Sequence, residues 1–352
     1  MFEKEIMSLK NIKQTTLKKM KSRKAIIKSL NKKISYLSNL DKNLGKITPE
    51  KIRLNKDMLF KFENLLPLTK EYWWLWFISE EKQLVLTFGR NYSNFKVNKK
   101  LVKKSSGSAK ECFVVGWFFD KKKTRVFNCT KKFIVGKNFV KSVDGEIIIK
   151  GEYPNFDIKI SKKSRILFSG KLRKHKYGYK LERYSKAMFH YDILNIYSNF
   201  YGKLNNKKLS GFINLQKVII RTPFVPWNWC RIRCKNGSIN FFIPYINISN
   251  IKQILSSDIK VTIGKKLFRF KNVDIIKAAN NMRWVIKSKN LFIVLESYEK
   301  EKFELQNIGR HFYIEYLVKV KDFYLKKGEK IYTMKDIGQG YGMLEDAFGY
   351  VI

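Results

Sequence analysis

Residues 71–89 read EYWWLWFISEEKQLVLTFG. An aromatic and aliphatic run, Tyr72 to Ile78, breaks at the polar Ser79–Lys82 and resumes at Gln83. The run is about a third of the length a membrane-spanning helix requires. Short apolar runs joined by a tight polar turn are the signature of a β-hairpin. The same grammar continues outward. CFVVGWFF (112–119) precedes DKKK and TRVFNCT (124–130), and GEIIIKGEY, FDIKISK, SRILFSGKL, NIYSNFYGKL, KKLSGFINL, WNWCRIR and SINFFIPYI carry it to residue 246. Asn205-Asn206 suits the left-handed conformations of a two-residue hairpin turn. A second set follows NISNIKQILSS, from IKVTIGKKLFRFKNV at residue 259 to GYGMLEDAFGYVI at the end. Many short antiparallel strands in succession imply barrels or sandwiches, and their number exceeds what one small barrel needs.

The residues before this region obey another period. Leu9, Ile12, Ile26, Leu30, Ile34 and Leu37 recur at helical spacing among lysines, and Thr48, Pro49 and Glu50 form a helix-start signal. The expected organisation is therefore a basic amphipathic helical arm (1–68), a first β-barrel (69–248) and a second (249–352).

Composition bounds the function classes. The chain has 352 residues, 44% of them hydrophobic, enough for a large core, and a formal net charge of +44. Such charge draws a protein toward polyanions, either nucleic acid or an anionic membrane surface. Abundant Lys, Asn, Ile, Phe and Tyr beside only three His is also what A/T-rich coding produces. The four cysteines are too few and scattered for a disulfide framework, which points to a reducing, cytoplasmic setting with at most peripheral membrane contact. No phosphate-binding loop, nucleophile elbow or metal-spaced histidine pair occurs, and no cofactor is expected.

The chemistry-bearing stretch is RTPFVPWNWCRIRCKNG, 221–237. On a strand, Trp227, Trp229, Arg231 and Arg233 share one face, while Cys230, Ile232 and Cys234 share the other. A single Cys-x3-Cys pair supplies half a zinc site at most, so no metal is expected. The Trp-Trp-Arg face could stack nucleic-acid bases, or line a pocket for an apolar ligand with Arg231 at its polar head. His190 and Asp192, two apart in FHYDI, form an acid–base candidate, and Glu345 is a third candidate acid.

Three segments together resemble the tandem lipocalin-like superfamily, which includes the carotenoid hydratases and tocopherol cyclases: EYWWLWFI, the stretch from His190 through WNWCRIRCKNG to Ile243, and GQGYGMLEDAFGYVI. The matching positions are Trp73 and Trp74, then Gly211, Trp227, Trp229, Arg231 and Gly237, then Gly338, Gly340, Tyr341, Glu345, Gly349 and Tyr350. The resemblance implies an all-β protein of two lipocalin-like antiparallel barrels side by side, and a long hydrophobic ligand, lipid- or isoprenoid-like. Trp227, Trp229, Tyr191 and Tyr341 would wall its cavity. An alternative is a hydratase- or cyclase-type enzyme on an isoprenoid, with His190, Asp192 or Glu345 as the proton donor. Such enzymes commonly carry an acid just before the W-x-W strand, and this chain has no Asp or Glu between Gly211 and Trp229. A basic nucleic-acid-binding protein is the less favoured reading.

Overall fold

The structure is a computed structural model and describes residues 56–186, 189–221, 227–248, 251–254, 258–278, 282–307 and 309–350. Apart from residues 185–186, these belong to one unit of the chain, 54–184 with 189–352.

The hairpin of the opening stretch forms as expected: β1 (Thr69–Ser79) and β2 (Lys82–Asn91) turn at Glu80-Glu81 with Ser79 opposite Lys82. A short pair, β3 (Phe95–Val97) and β4 (Lys100–Val102), departs from the sheet. The meander resumes with β5 (Lys110–Asp120), β6 (Lys122–Gly136), β7 (Phe139–Ser142), β8 (Ile147–Glu152) and β9 (Asn155–Lys162). It ends with β10 (Arg165–Lys186), β11 (Phe189–Leu204) and β12 (Lys207–Arg221). Because β12 pairs back on β1, Tyr72 facing Val218, ten strands close into a barrel with no free edge. At the β11–β12 turn Asn205 and Asn206 take positive φ of 49° and 65°, as that dipeptide predicts.

The period of two sorts the side chains of β1. Trp73, Leu75 and Phe77 enter the barrel, where Phe88 stacks on Phe133 at 4.4 Å and Phe168 on Phe200 at 4.4 Å. Side chains thus fill the interior, as in other small barrels. Each fully buried aromatic contributes about 1.5–3 kcal/mol. Trp74, Trp76 and Ile78 face outward, yet they too are buried.

The second sheet covers them. It contains β13 (Trp227–Cys234), β14 (Gly237–Ile248), β15 (Ile251–Ile254), β16 (Asp258–Ile263), β17 (Lys266–Lys271) and β18 (Asp274–Lys277). It continues through β19 (Arg283–Ser288), β20 (Leu291–Gln306), β21 (Arg310–Lys327), β22 (Lys330–Thr333) and β23 (Gly340–Tyr350). A single helical turn, Met334–Ile337, capped by Thr333 and Asp336, leads into β23. The pairing path is β17-β16-β14-β13-β23-β21-β20-β19-β18. Its end strands, β17 and β18, do not pair among the described residues, but only Asn272 and Val273 join them. So short a link keeps both ends together, and the sheet rolls around a core that includes Cys230, Ile232, Ile286 and Leu344.

Two expectations are corrected here. Strands β13 and β14, assigned from sequence to a first barrel ending at 248, belong to the second sheet: β13 pairs with β23, Trp229 opposite Glu345. The second sheet, moreover, is a roll with one unpaired seam rather than a barrel closed by hydrogen bonds. Of the expected helical arm, residues 1–55 lie outside the described residues. Within the described part Lys56–Phe60 is a 3-10 turn and residues 61–68 contain no helix. Met58 and Leu59 of this segment insert into the barrel core, and Leu59 O accepts the Trp73 indole N–H at 2.8 Å. Among the described residues no helix is long and apolar enough to cross a membrane.

Candidate functional site

The outer face of β1, β2, β5 and β12 packs on β13, β20, β21 and β23 through aromatic residues. Trp74 meets Trp229 edge to face at 5.3 Å and Phe119 meets Tyr298 at 5.1 Å, while within the second sheet Trp227 meets Tyr313 at 5.9 Å. Toward one end this contact opens into a cavity of about 80 Å³, whose apolar walls include Tyr72, Trp74, Phe113, Trp227, Phe303 and Tyr313. The cavity therefore lies between the barrel and the second sheet, not inside a barrel as the resemblance implied. The barrel interior is occupied by the barrel's own aromatics.

Two carboxyl groups stand in this contact. Glu315 of β21 and Glu345 of β23 are direct cross-strand partners, 1% and 6% exposed. Glu315 accepts the Trp117 indole N–H at 2.6 Å, and Glu345 accepts that of Trp227 at 3.3 Å. Burial, reinforced by the neighbouring Glu345, pushes the Glu315 carboxyl up to about 8. Burial also pushes Glu345 up to about 7, against the opposing pull of Tyr313, Trp227 and Arg231. Adjacent buried carboxyls resist double ionisation. The pair consequently holds a proton at neutral pH. The Trp74 indole N–H is also close enough to the Glu315 carboxyl to favour its charged form, although Trp74 Nε1 and Glu315 Oε1 fall outside hydrogen-bond geometry. Trp227 and Tyr313 both line the cavity and both contact Glu345, so the carboxyl lies one layer behind the wall.

The other residues singled out from sequence are dispersed. Trp227 borders the cavity; Trp229, Arg231, Tyr191 and Tyr341 do not. Trp229 and Arg231 are spent on the contact between the sheets. The Arg231 guanidinium bonds Asn214 Oδ1 and lies 5.1 Å over Tyr197 and 5.3 Å over Trp229. It is not a free cation at a cavity rim. Tyr191 packs edge to face on Phe242 at 5.8 Å. Tyr341 lies at the far end of β23, its hydroxyl 3.5 Å from Glu81 Oε1. Neither Trp227 nor Trp229 forms an exposed platform for bases: Trp227 is buried and Trp229 is covered by Trp74.

His190 and Asp192 do come together, Nε2 to Oδ2 at 3.3 Å, but apart from the carboxyl pair. Burial alone would raise Asp192, yet hydrogen bonds from His190 and Arg183, the latter at 2.7 Å, hold it below the usual carboxylate range. It stands as a charged, paired carboxylate and has no proton to give. Cys230 and Cys234 face the core as expected, all four cysteines are free, and no cluster of His, Cys, Asp or Glu among the described residues could hold a metal.

Sequence reading missed Glu315, Trp117, Tyr313, Lys70 and His311. The only sequence signal for Glu315 was an acid inside an apolar strand, YIEYLV; its pairing with Glu345 needed the strand register.

No family model matches the sequence, and no curated protein matches it. Solved structures do share its fold. Two structures of CghA, one of them with Sch210972, match with TM-scores of 0.53 and 0.52 at 10% and 11% identity. The matches cover 85% and 83% of this chain and 93% and 92% of CghA. An AttH-type protein of Nitrosomonas europaea matches at a TM-score of 0.48 and 10% identity, over 87% of this chain and 98% of that one. Kievitone hydratase from Nectria haematococca matches at 0.44 and 9%, over 84% and 94%. The all-β architecture expected from the three motifs, an antiparallel barrel with a second sheet beside it, is the part of that expectation the structure bears out. At these identities the likeness concerns fold alone.

Proposed function

We propose that this protein binds a hydrophobic small molecule in the cavity between its barrel and its second sheet. The observation that supports this reading is an aromatic-walled cavity, bounded by Trp74, Trp227 and Tyr313, at the junction of two β units. Sites of this kind pair apolar walls with a few placed polar groups. A volume of about 80 Å³ is the room of two to three waters, so only a short apolar segment or one ring is enclosed, and the rest of a lipid- or isoprenoid-like ligand extends outward. The positive surface would hold the protein to anionic lipid on the cytoplasmic side, each nearby cation contributing about 1 kcal/mol.

The test is extraction of the purified protein followed by mass spectrometry, with Ala347→Leu as control. Ala347 lines the cavity and is 2% exposed, so the larger side chain fills the space. An apolar molecule carried by the wild type and lost from the variant is expected. Equal recovery from both proteins would place the ligand elsewhere and defeat the reading.

A second reading is favoured by the protonated carboxyl pair. Addition of water to an isolated double bond, or its cyclisation, begins with proton transfer to carbon and requires an acid kept neutral by burial. Glu345 is kept neutral in this way and Asp192 is not, and Tyr313, which lines the cavity and hydrogen-bonds Glu345, would pass the proton to the alkene and be reprotonated by Glu345. In this reading Glu345→Gln abolishes turnover of an isoprenoid alkene while ligand recovery persists; unchanged turnover excludes Glu345 as the acid.

A further inference from the structure

His311 of β21 is 5% exposed, lines the cavity, and has no hydrogen-bond partner at Nδ1 or Nε2 among the described residues. A buried imidazole without partners costs stability, since both nitrogens have left water for nothing. Such groups are rare in folded proteins, and a bound species that completes them is one physical reason they persist. Across the cavity wall stands Lys70 of β1, partly buried and close enough for its charge to disfavour protonation of His311. Burial lowers Lys70 to about 8 and no carboxylate among the described residues offsets this, so the ammonium is charged at neutral pH with no counter-ion among them. The other cation on the wall, Arg90, is committed to Glu71 at 2.6 Å. Neutral His311, held down at about 3 by burial and by Lys70, offers an N–H rather than a second charge.

We propose that Lys70 and His311 form a head-group subsite that takes a carboxylate, the apolar body of the same molecule lying along Trp74, Phe303 and Trp227. The inference rests on the binding function proposed above and specifies its ligand class: an amphiphile with one acidic end, not a pure hydrocarbon. Charge-assisted hydrogen bonds from an ammonium and an imidazole N–H to one carboxylate are stronger than their neutral equivalents, and a cavity this apolar has little else to orient a ligand.

The test compares octanoate with 1-octanol by calorimetric titration of the full chain at pH 7, which varies the head group at constant tail. Wild type is expected to bind octanoate at least ten-fold tighter. Lys70→Met and His311→Leu should each remove that preference, bringing the octanoate-to-octanol affinity ratio close to one. His311→Leu should also melt at or above the wild-type temperature, because it deletes an unsatisfied group, whereas a structural histidine would lower it. Equal wild-type affinity for the two molecules, or a preference surviving in Lys70→Met, overturns the subsite while the cavity stands. Failure of wild type to bind either molecule overturns the cavity reading, and the subsite with it.

Discussion

At the residue scale the protein is governed by polar groups placed where water does not reach. Glu315 and Glu345 differ from Asp192 in one respect: Asp192 is met by an arginine, whereas the pair is met chiefly by indole N–H groups and by each other. The first arrangement favours the charged form and the second the neutral form. The sign of the pH dependence follows. Both glutamates are raised in the folded protein, to about 8 and about 7, above their ordinary value of 4.5. The folded state therefore binds more protons than the unfolded state between these values, and stability falls as pH rises from about 4.5 through 8. Unfolding free energies from denaturant titrations across that window should decline by up to about 1.4 kcal/mol per pH unit for each proton, most clearly above pH 6.5, because below it the depressed His311 contributes with the opposite sign. In Glu315→Gln the decline should flatten while the Trp117 hydrogen bond survives through the amide oxygen. A variant that retains the full slope would show that Glu315 does not titrate in this window.

The strand is the scale at which geometry becomes unforgiving. The terminal GQGYG, read from sequence as a family motif, has a steric reason in β23. A Cβ on Gly342 would lie 2.2 Å from Arg231 O, and one on Gly340 would lie 2.5 Å from Cys234 Sγ. Gly342→Ala should therefore push β23 from β13 and cost about 1–3 kcal/mol by overpacking, measurable as a lowered melting temperature; a neutral substitution would mean the strands are farther apart than described. At the barrel end β1 and β12 are tied by Lys217, fully buried, which contacts Glu71 at 2.5 Å and lies 3.2 Å over the Trp73 ring. Burial depresses Lys217 to about 8 against the pull of Glu71. Lys217→Met alone should cost about 3–5 kcal/mol by stranding part of a buried charge. Combining it with Glu71→Gln should recover some of that loss in chemical denaturation.

At the scale of the whole molecule, the barrel and the second sheet share a core. Trp74, Trp76 and Trp117 on the outside of the barrel are at most 3% exposed because β13, β20, β21 and β23 cover them. Neither part could shed the other without exposing a broad aromatic face. Unfolding should be a single transition, with near- and far-ultraviolet circular dichroism coinciding. Trp229→Ala, which removes the edge-to-face partner of Trp74, should shift the whole transition by about 3 kcal/mol. Two separated transitions would show that the contact is weaker than its burial implies.

Alternation in EYWWLWFISEEKQLVLTFG, the Asn205-Asn206 turn and the two-faced WNWCRIRC strand determined the all-β class, the hairpins and which side of β13 carries tryptophan. These were legible because strand period and turn conformation depend on neighbours in sequence. That β13 leaves the barrel and pairs with β23 was not legible, since either barrel could accept a strand of that pattern and only edge pairing chooses. The same holds for the site. Glu345 was recognisable as an acid, but Glu315 became its partner through register, and Lys70 and His311 met through packing. Sequence pattern specifies that a side chain must be buried; which neighbour buries it, and so whether a carboxyl is charged or a histidine left unpartnered, is decided only when distant strands are brought together.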